Sequence, residues 1–62
     1  MKEFRVGDIV VYWEQNAHGY NLLHRGEIKM DFPADKIAYV ENIKSHVEYV
    51  IPYKNIDRVV AE

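Results

Sequence analysis

The chain has 62 residues, ten acidic and eight basic, for a formal net charge of −2, and it contains no cysteine. That length fits one domain near the lower limit at which an apolar core alone holds a fold, and neither a disulfide framework nor a thiolate metal site can assist it. Phosphate contacts supply most non-specific affinity for nucleic acid, so a mildly acidic chain without a basic block is poorly suited to general DNA binding.

The first residues, MKEFRVGDIVVYW, hold no apolar run of signal-peptide length before a small-residue cleavage site, and nowhere are there the roughly 18 apolar residues that a membrane span needs. A cytoplasmic location is expected. Val6-Gly7-Asp8 reads as a turn, in which Gly7 permits positive φ, feeding a first strand over 8–14. Ile9 to Trp13 are all apolar or aromatic, although a strand alternates faces and a half-solvated sheet needs only every second residue apolar. Gln15 to Asn21 form a polar loop, long for a hairpin in so small a domain and therefore a candidate binding loop. A second strand covers 22–30, with Gly26 marking a bulge or bend, and Asp31 to Asp35 then turn the chain, Pro33 ending the strand for want of a donor. A third strand, 37–43, and a fourth, 47–51, form a hairpin across Lys44-Ser45-His46. Pro52 stops the fourth strand, Tyr53 to Ile56 suit one turn of 3-10 helix, and 57–60 close the chain as a short strand. Helical periodicity is hard to find, and short β-branched and aromatic runs between turn formers argue for an all-β barrel or sandwich.

This order of elements resembles the Src-homology-3-like (SH3-like) small barrel over nearly the whole chain. VGDIVVY at 6–12 is similar to the first strand of Tudor-like and KOW-like barrels, and YVIPYKNIDRVV at 49–60 to the fourth strand, 3-10 turn and fifth strand of the same fold. FRVGDIVVY at 4–12, His18-Gly19, and Val-Ile-Pro followed by Asn-Ile within 50–56 also resemble the RNA-polymerase-interacting domain of CarD-like regulators and transcription-repair coupling factors, with Trp13 to Ala17 intervening before His-Gly. The resemblance implies a five-stranded SH3-like β-barrel with a 3-10 turn before its last strand. It further implies a bacterial or phage regulator acting on RNA polymerase or another large enzyme. An inward row of Val10 and Tyr12, with Val6, Ile28, Val40, Tyr49, Ile51, Ile56 and Val59, follows from the same likeness and leaves Ile9, Val11 and Trp13 outside.

Catalytic sets are absent from the sequence. Serine occurs once, at Ser45, and threonine and cysteine not at all; Ser45 beside His46 in a short turn lacks the third group and the geometry of an activated nucleophile. Gly7, Gly19 and Gly26 are too widely spaced to cradle a phosphate. His18, His24 and His46, even with Glu27 or Asp31, follow no strand or helix ligand spacing, so solvated loop and edge histidines are expected instead of a metal site. Asp31 and Asp35 read as turn carboxylates and not as an acid-base pair. The expectation is a non-enzymatic module with no cofactor and no metal.

Ile9, Val11 and Trp13, with Tyr20 of the loop, form the candidate protein-binding surface, in competition with a monomer whose loop and closing strand fold over that row. Burying Trp13 or Ile9 at an interface contributes roughly 1.5–3 kcal/mol each before association costs. A nucleic-acid alternative stacks bases on Tyr39 and Trp13 and tracks phosphates with Lys36, Lys44, Lys54 and Arg58. A third assigns the same outer row to a homo-oligomer.

Overall fold

The turn that starts the fold is built as its sequence requires. Asp8 N–H donates to the Arg5 carbonyl at 3.0 Å, the Asp8 carboxylate accepts from Arg5 N–H at 3.0 Å, and Gly7 takes φ +97° at the third position of the turn. An L side chain there costs roughly 1–2 kcal/mol. Val6 occupies the corner of the same turn and is 63% exposed, so it leaves the core in which it was expected. Gly7 N–H donates to Ile28 O at 2.8 Å and Ile28 N–H to Asp8 O at 2.9 Å, tying the turn to the next strand.

In this computed structural model, which describes residues 4–15 and 21–60, five strands follow: β1 (Ile9–Gln15), β2 (Asn21–Phe32), β3 (Ile37–Asn42), β4 (Glu48–Pro52) and β5 (Ile56–Val60), with a 3-10 turn at Tyr53–Asn55. All pair antiparallel in one sheet of order β4-β3-β2-β1-β5. The described residues are all-β, as expected. β4 and β5 are the sheet's edges and do not pair with each other, so the sheet is not closed. Gln15 and Asn21 form the last rung of the β1–β2 hairpin, which shortens the expected loop to 16–20, outside the described residues. Among the described residues no helix is long and apolar enough to cross a membrane.

β2 runs on through Asp31 and Phe32, past its expected end, and its register irregularity against β3 falls between Ile28 and Met30 instead of at Gly26. Gly26 serves another purpose. A Cβ at this position would lie 2.4 Å from Val40 Cγ1, 2.7 Å from the Glu41 carbonyl oxygen and 3.1 Å from the Tyr12 ring, so a bare backbone lets β3 and Tyr12 close over it. The β2–β3 turn has Asp35 N–H donating to Phe32 O and Lys36 N–H to Pro33 O, and Lys36 adopts φ 57° to return the chain. Pro52 belongs to β4, paired opposite Ile37; an edge strand tolerates the missing donor.

Alternate residues of every strand supply one core: Val10 and Tyr12 from β1, Ile28 from β2, Ala38 and Val40 from β3, Ile51 from β4 and Ile56 from β5, with Phe4, Tyr49 and Tyr53 packed against it. Because Ile51 and Ile56 come from opposite edges of the sheet, their presence in one cluster means that the sheet curls around its inner face. Val59, opposite Val10 but beyond Ile56 on the edge strand, is 42% exposed and not part of the core.

A cationic cleft as candidate functional site

The face of the sheet turned away from the core carries rungs of side chains set by the register. One rung reads Val60, Ile9, Glu27, Glu41 and Glu48 across β5, β1, β2, β3 and β4. The next reads Arg58, Val11 and Arg25, and the one after it Trp13 and Leu23. Ile9, Val11 and Trp13 thus share the outer face. Their exposure differs from the expectation: Val11 is only 4% exposed, while Ile9 and Trp13 are partly buried. Val11 has an arginine directly opposite on each side, and long cationic side chains lay their methylene stems along apolar neighbours while the charged heads stay in water. Within the apolar run at 9–13 it is thus Val11, between two arginines, that is buried on the outer face, while Ile9 and Trp13 stay partly exposed.

Over Val11 the surface forms an open cleft of about 390 Å³ with Leu23 and Ile43 among its apolar lining and Arg25, Lys44 and Arg58 among its polar lining. Ile43 and Lys44 reach it because Asn42 builds the β3–β4 turn. The Asn42 side-chain carbonyl accepts Lys44 N–H at 2.8 Å and Ser45 N–H at 3.0 Å, His46 N–H donates to the Asn42 backbone carbonyl at 2.8 Å, and Ile43 N–H donates to Arg25 O at 3.1 Å. His46 takes φ 60° to close the turn.

Charges around the cleft are unevenly matched. Lys29 Nζ lies 3.4 Å from Glu27 and 3.6 Å from Glu41, and its pKa is raised, chiefly by Glu27. His46 Nδ1 lies 3.1 Å from Glu41 Oε2, and this contact, ahead of Lys29, holds the Glu41 carboxyl below its ordinary range. Arg58 pairs with Asp57 at 2.6 Å. No carboxylate among the described residues lies within ion-pair distance of Arg25 or Lys44.

Of the expected phosphate-tracking set, the structure brings Lys44 and Arg58 together at this cleft. Lys36 and Lys54 sit at the other end of β3, where Tyr53 N–H donates to Lys36 O at 2.9 Å. The six residues of β3 hold Lys36 roughly 20 Å from Lys44, while Lys54 precedes Arg58 by four residues and is not among the residues lining the cleft. The Tyr39 ring packs against Phe32 at 4.9 Å and 59°, which engages one of its edges or faces. Tyr20 and His18 lie outside the described residues. His24 is not the solvated edge histidine expected: it is partly buried, 5.6 Å from the Tyr12 ring, with Nε2 3.0 Å from Glu14 Oε1. Asp31 is likewise a strand residue and accepts a hydrogen bond from the Tyr53 hydroxyl, which pushes that phenol up to about 12. Among the described residues no three His, Asp or Glu side chains could hold a metal ion.

Arg25, Leu23 and Ile43 escape a reading by residue type, since none belongs to a motif. The usable signal is the alternation Leu23, Arg25, Glu27, which faces Trp13, Val11, Ile9 once the hairpin register is known. Comparison with protein-family models, with curated proteins and with solved structures finds no match for this chain.

Proposed function

We propose that this chain is a non-enzymatic protein-binding module of SH3-like architecture, acting in the cytoplasm, whose contact surface is the outer face of β1 and β2. The observation that carries this reading is the cleft over Val11, where an apolar lining meets Arg58, paired with Asp57, and Arg25 and Lys44, which have no ion-pair partner among the described residues. Leu23, 52% exposed, stands beside Trp13 as an apolar shoulder, and Ile9 lies one rung to the other side. Aromatic and aliphatic anchors next to rim charges are the usual makings of a protein contact. The strand order, the 3-10 turn before β5 and a core joining Ile51 to Ile56 support the SH3-like part of the proposal. Tyr20, assigned to this surface from the sequence, lies outside the described residues. The likeness to polymerase-interacting domains makes RNA polymerase, or another large bacterial or phage enzyme, the first partner to try. The nucleic-acid alternative has less support, because its lysines divide between two ends of the sheet and Tyr39 is packed on Phe32.

A photoreactive residue at position 23, and separately at position 54, tests the proposal in cells. Position 23 should give a discrete cross-link to another protein, lost in Trp13→Ala and in Ile43→Ser without loss of the folded state, while position 54 gives none. Cross-links to a second copy alone would make the face a homo-oligomer contact, and a product from position 54 alone would remove the proposed surface.

A further inference from the structure

Resting on the protein-binding reading, we infer that the cleft over Val11 takes an acidic segment of the partner chain, its carboxylates against Arg25, Lys44 and Arg58 and an apolar side chain against the exposed Leu23 and Ile43. Three separate elements deliver the cations: Arg25 from β2, Lys44 from the β3–β4 turn and Arg58 from β5. Two are strand residues flanking one buried valine, and the third is held by a turn whose backbone is fixed through Asn42. Such placement lowers the ordering cost of capturing a carboxylate, and guanidinium groups offer it paired donors.

The pattern of compensation points the same way. In a chain of net charge −2, Lys29 is held between two carboxylates, whereas Arg25 and Lys44 have no anionic partner among the described residues. One rung away, Glu27, Glu41 and Glu48 line the face. Same-face rungs are about 7 Å apart, inside the screening length of physiological salt. These carboxylates bound the cationic region on one side, so a polyanion running along the sheet crosses them directly, while a short acidic segment confined to the cleft stays one rung away. Lys36 and Lys54 are not among the residues lining the cleft. An apolar lining beneath the charges also suits a peptide of mixed acidic and aliphatic residues better than a sugar-phosphate backbone.

Amide shifts of the 15N-labelled chain test the inference with three probes: a short capped peptide alternating Asp and Leu, the same peptide with Lys for Asp, and a short oligothymidylate. The acidic peptide alone should shift Val11, Leu23, Arg25, Ile43, Lys44 and Arg58. Its affinity should fall about tenfold in the Arg25→Gln/Lys44→Gln variant and fall again as salt is raised. Lys44→Gln alone, an exposed turn substitution, should weaken binding roughly threefold with the fold intact. Equal shifts from the Lys peptide, or none from the acidic one, overturn the inference; if the cross-link at position 23 persists in that case, the protein-binding reading stands without it. The same amides answering to oligothymidylate instead would end both.

Discussion

The Asn42 side-chain amide donates to the Tyr12 hydroxyl at 3.0 Å, so a single buried residue joins the core of β1 to the turn that carries Ile43 and Lys44. The other end of the same amide accepts two turn N–H groups. Removing it in Asn42→Ala strands a buried hydroxyl and two backbone donors, and should cost about 2–4 kcal/mol. Tyr12→Phe deletes one partner of one bond and should cost about 1–2 kcal/mol. Because the two residues share that bond, the double variant should lose less than the sum of the singles in denaturant unfolding. Full additivity would mean that core and turn are not coupled.

Gly26 tests the close approach of β2 to β3. In Gly26→Ala the new methyl meets Val40 Cγ1 and the Glu41 carbonyl oxygen at distances no real Cβ occupies. Overpacking of this kind costs about 1–3 kcal/mol, and the upper end is expected because one obstacle is backbone. Val40→Ala in the same chain should relieve only part of the loss, since the Glu41 carbonyl remains. Chemical denaturation of the three variants decides it; a Gly26→Ala chain as stable as the parent would show that β3 can move away at no cost.

Strand number and strand order along the chain were legible because short alternating apolar runs and turn residues such as Gly7 and Pro33 act locally; period two put Val10 and Tyr12 on one face, and the likeness to Tudor-like barrels made that face the core. Of the row that the likeness implied, Val10, Tyr12, Ile28, Val40, Ile51 and Ile56 are in the core. What escaped depends on neighbours remote in sequence. Val11 faces away from the core by alternation and is buried nonetheless, with Arg25 and Arg58 opposite it on the two neighbouring strands. The likeness to Tudor-like barrels implies Val6 and Val59 as core residues, yet one sits on a turn corner and the other on an open edge. The cleft assembles one residue from each of several elements, so no single stretch announces it.

Alkaline pH should unfold this chain through its tyrosines. Tyr12 is raised above the ordinary phenol value, foremost by burial, and Tyr53 is pushed up to about 12, foremost by its hydrogen bond to the Asp31 carboxylate. For a raised pKa the folded state holds its proton longer than the unfolded one. The associated stability is therefore complete below the unfolded value near 10 and is lost as pH rises through the folded values. Thermal midpoints should accordingly fall between about pH 10 and 12. Tyr53→Phe should flatten that fall, and tyrosinate absorbance should show at least one phenol ionising only with unfolding. A midpoint independent of pH over this window, or an unchanged slope in Tyr53→Phe, would contradict the assignment.

Lys36 and His46 hold left-handed backbone at φ 57° and 60°, a conformation that suits glycine better than either residue. Lys36→Gly should stabilise the chain by roughly 0.5–1 kcal/mol, the relief of strain exceeding the added freedom of the unfolded chain. His46→Gly should gain less, because it also removes one of the two partners of Glu41, leaving Lys29. In that variant the Glu41 carboxyl should titrate closer to its ordinary value, observable by NMR of the side-chain carbon. A depressed carboxyl stabilises the fold above its unfolded pKa and loses that contribution as pH falls through the folded one. The part of the difference between His46→Gly and the parent that comes from Glu41 should therefore shrink as the solution is acidified through that range. An acid titration of Glu41 unmoved by the substitution would show that His46 does not set it.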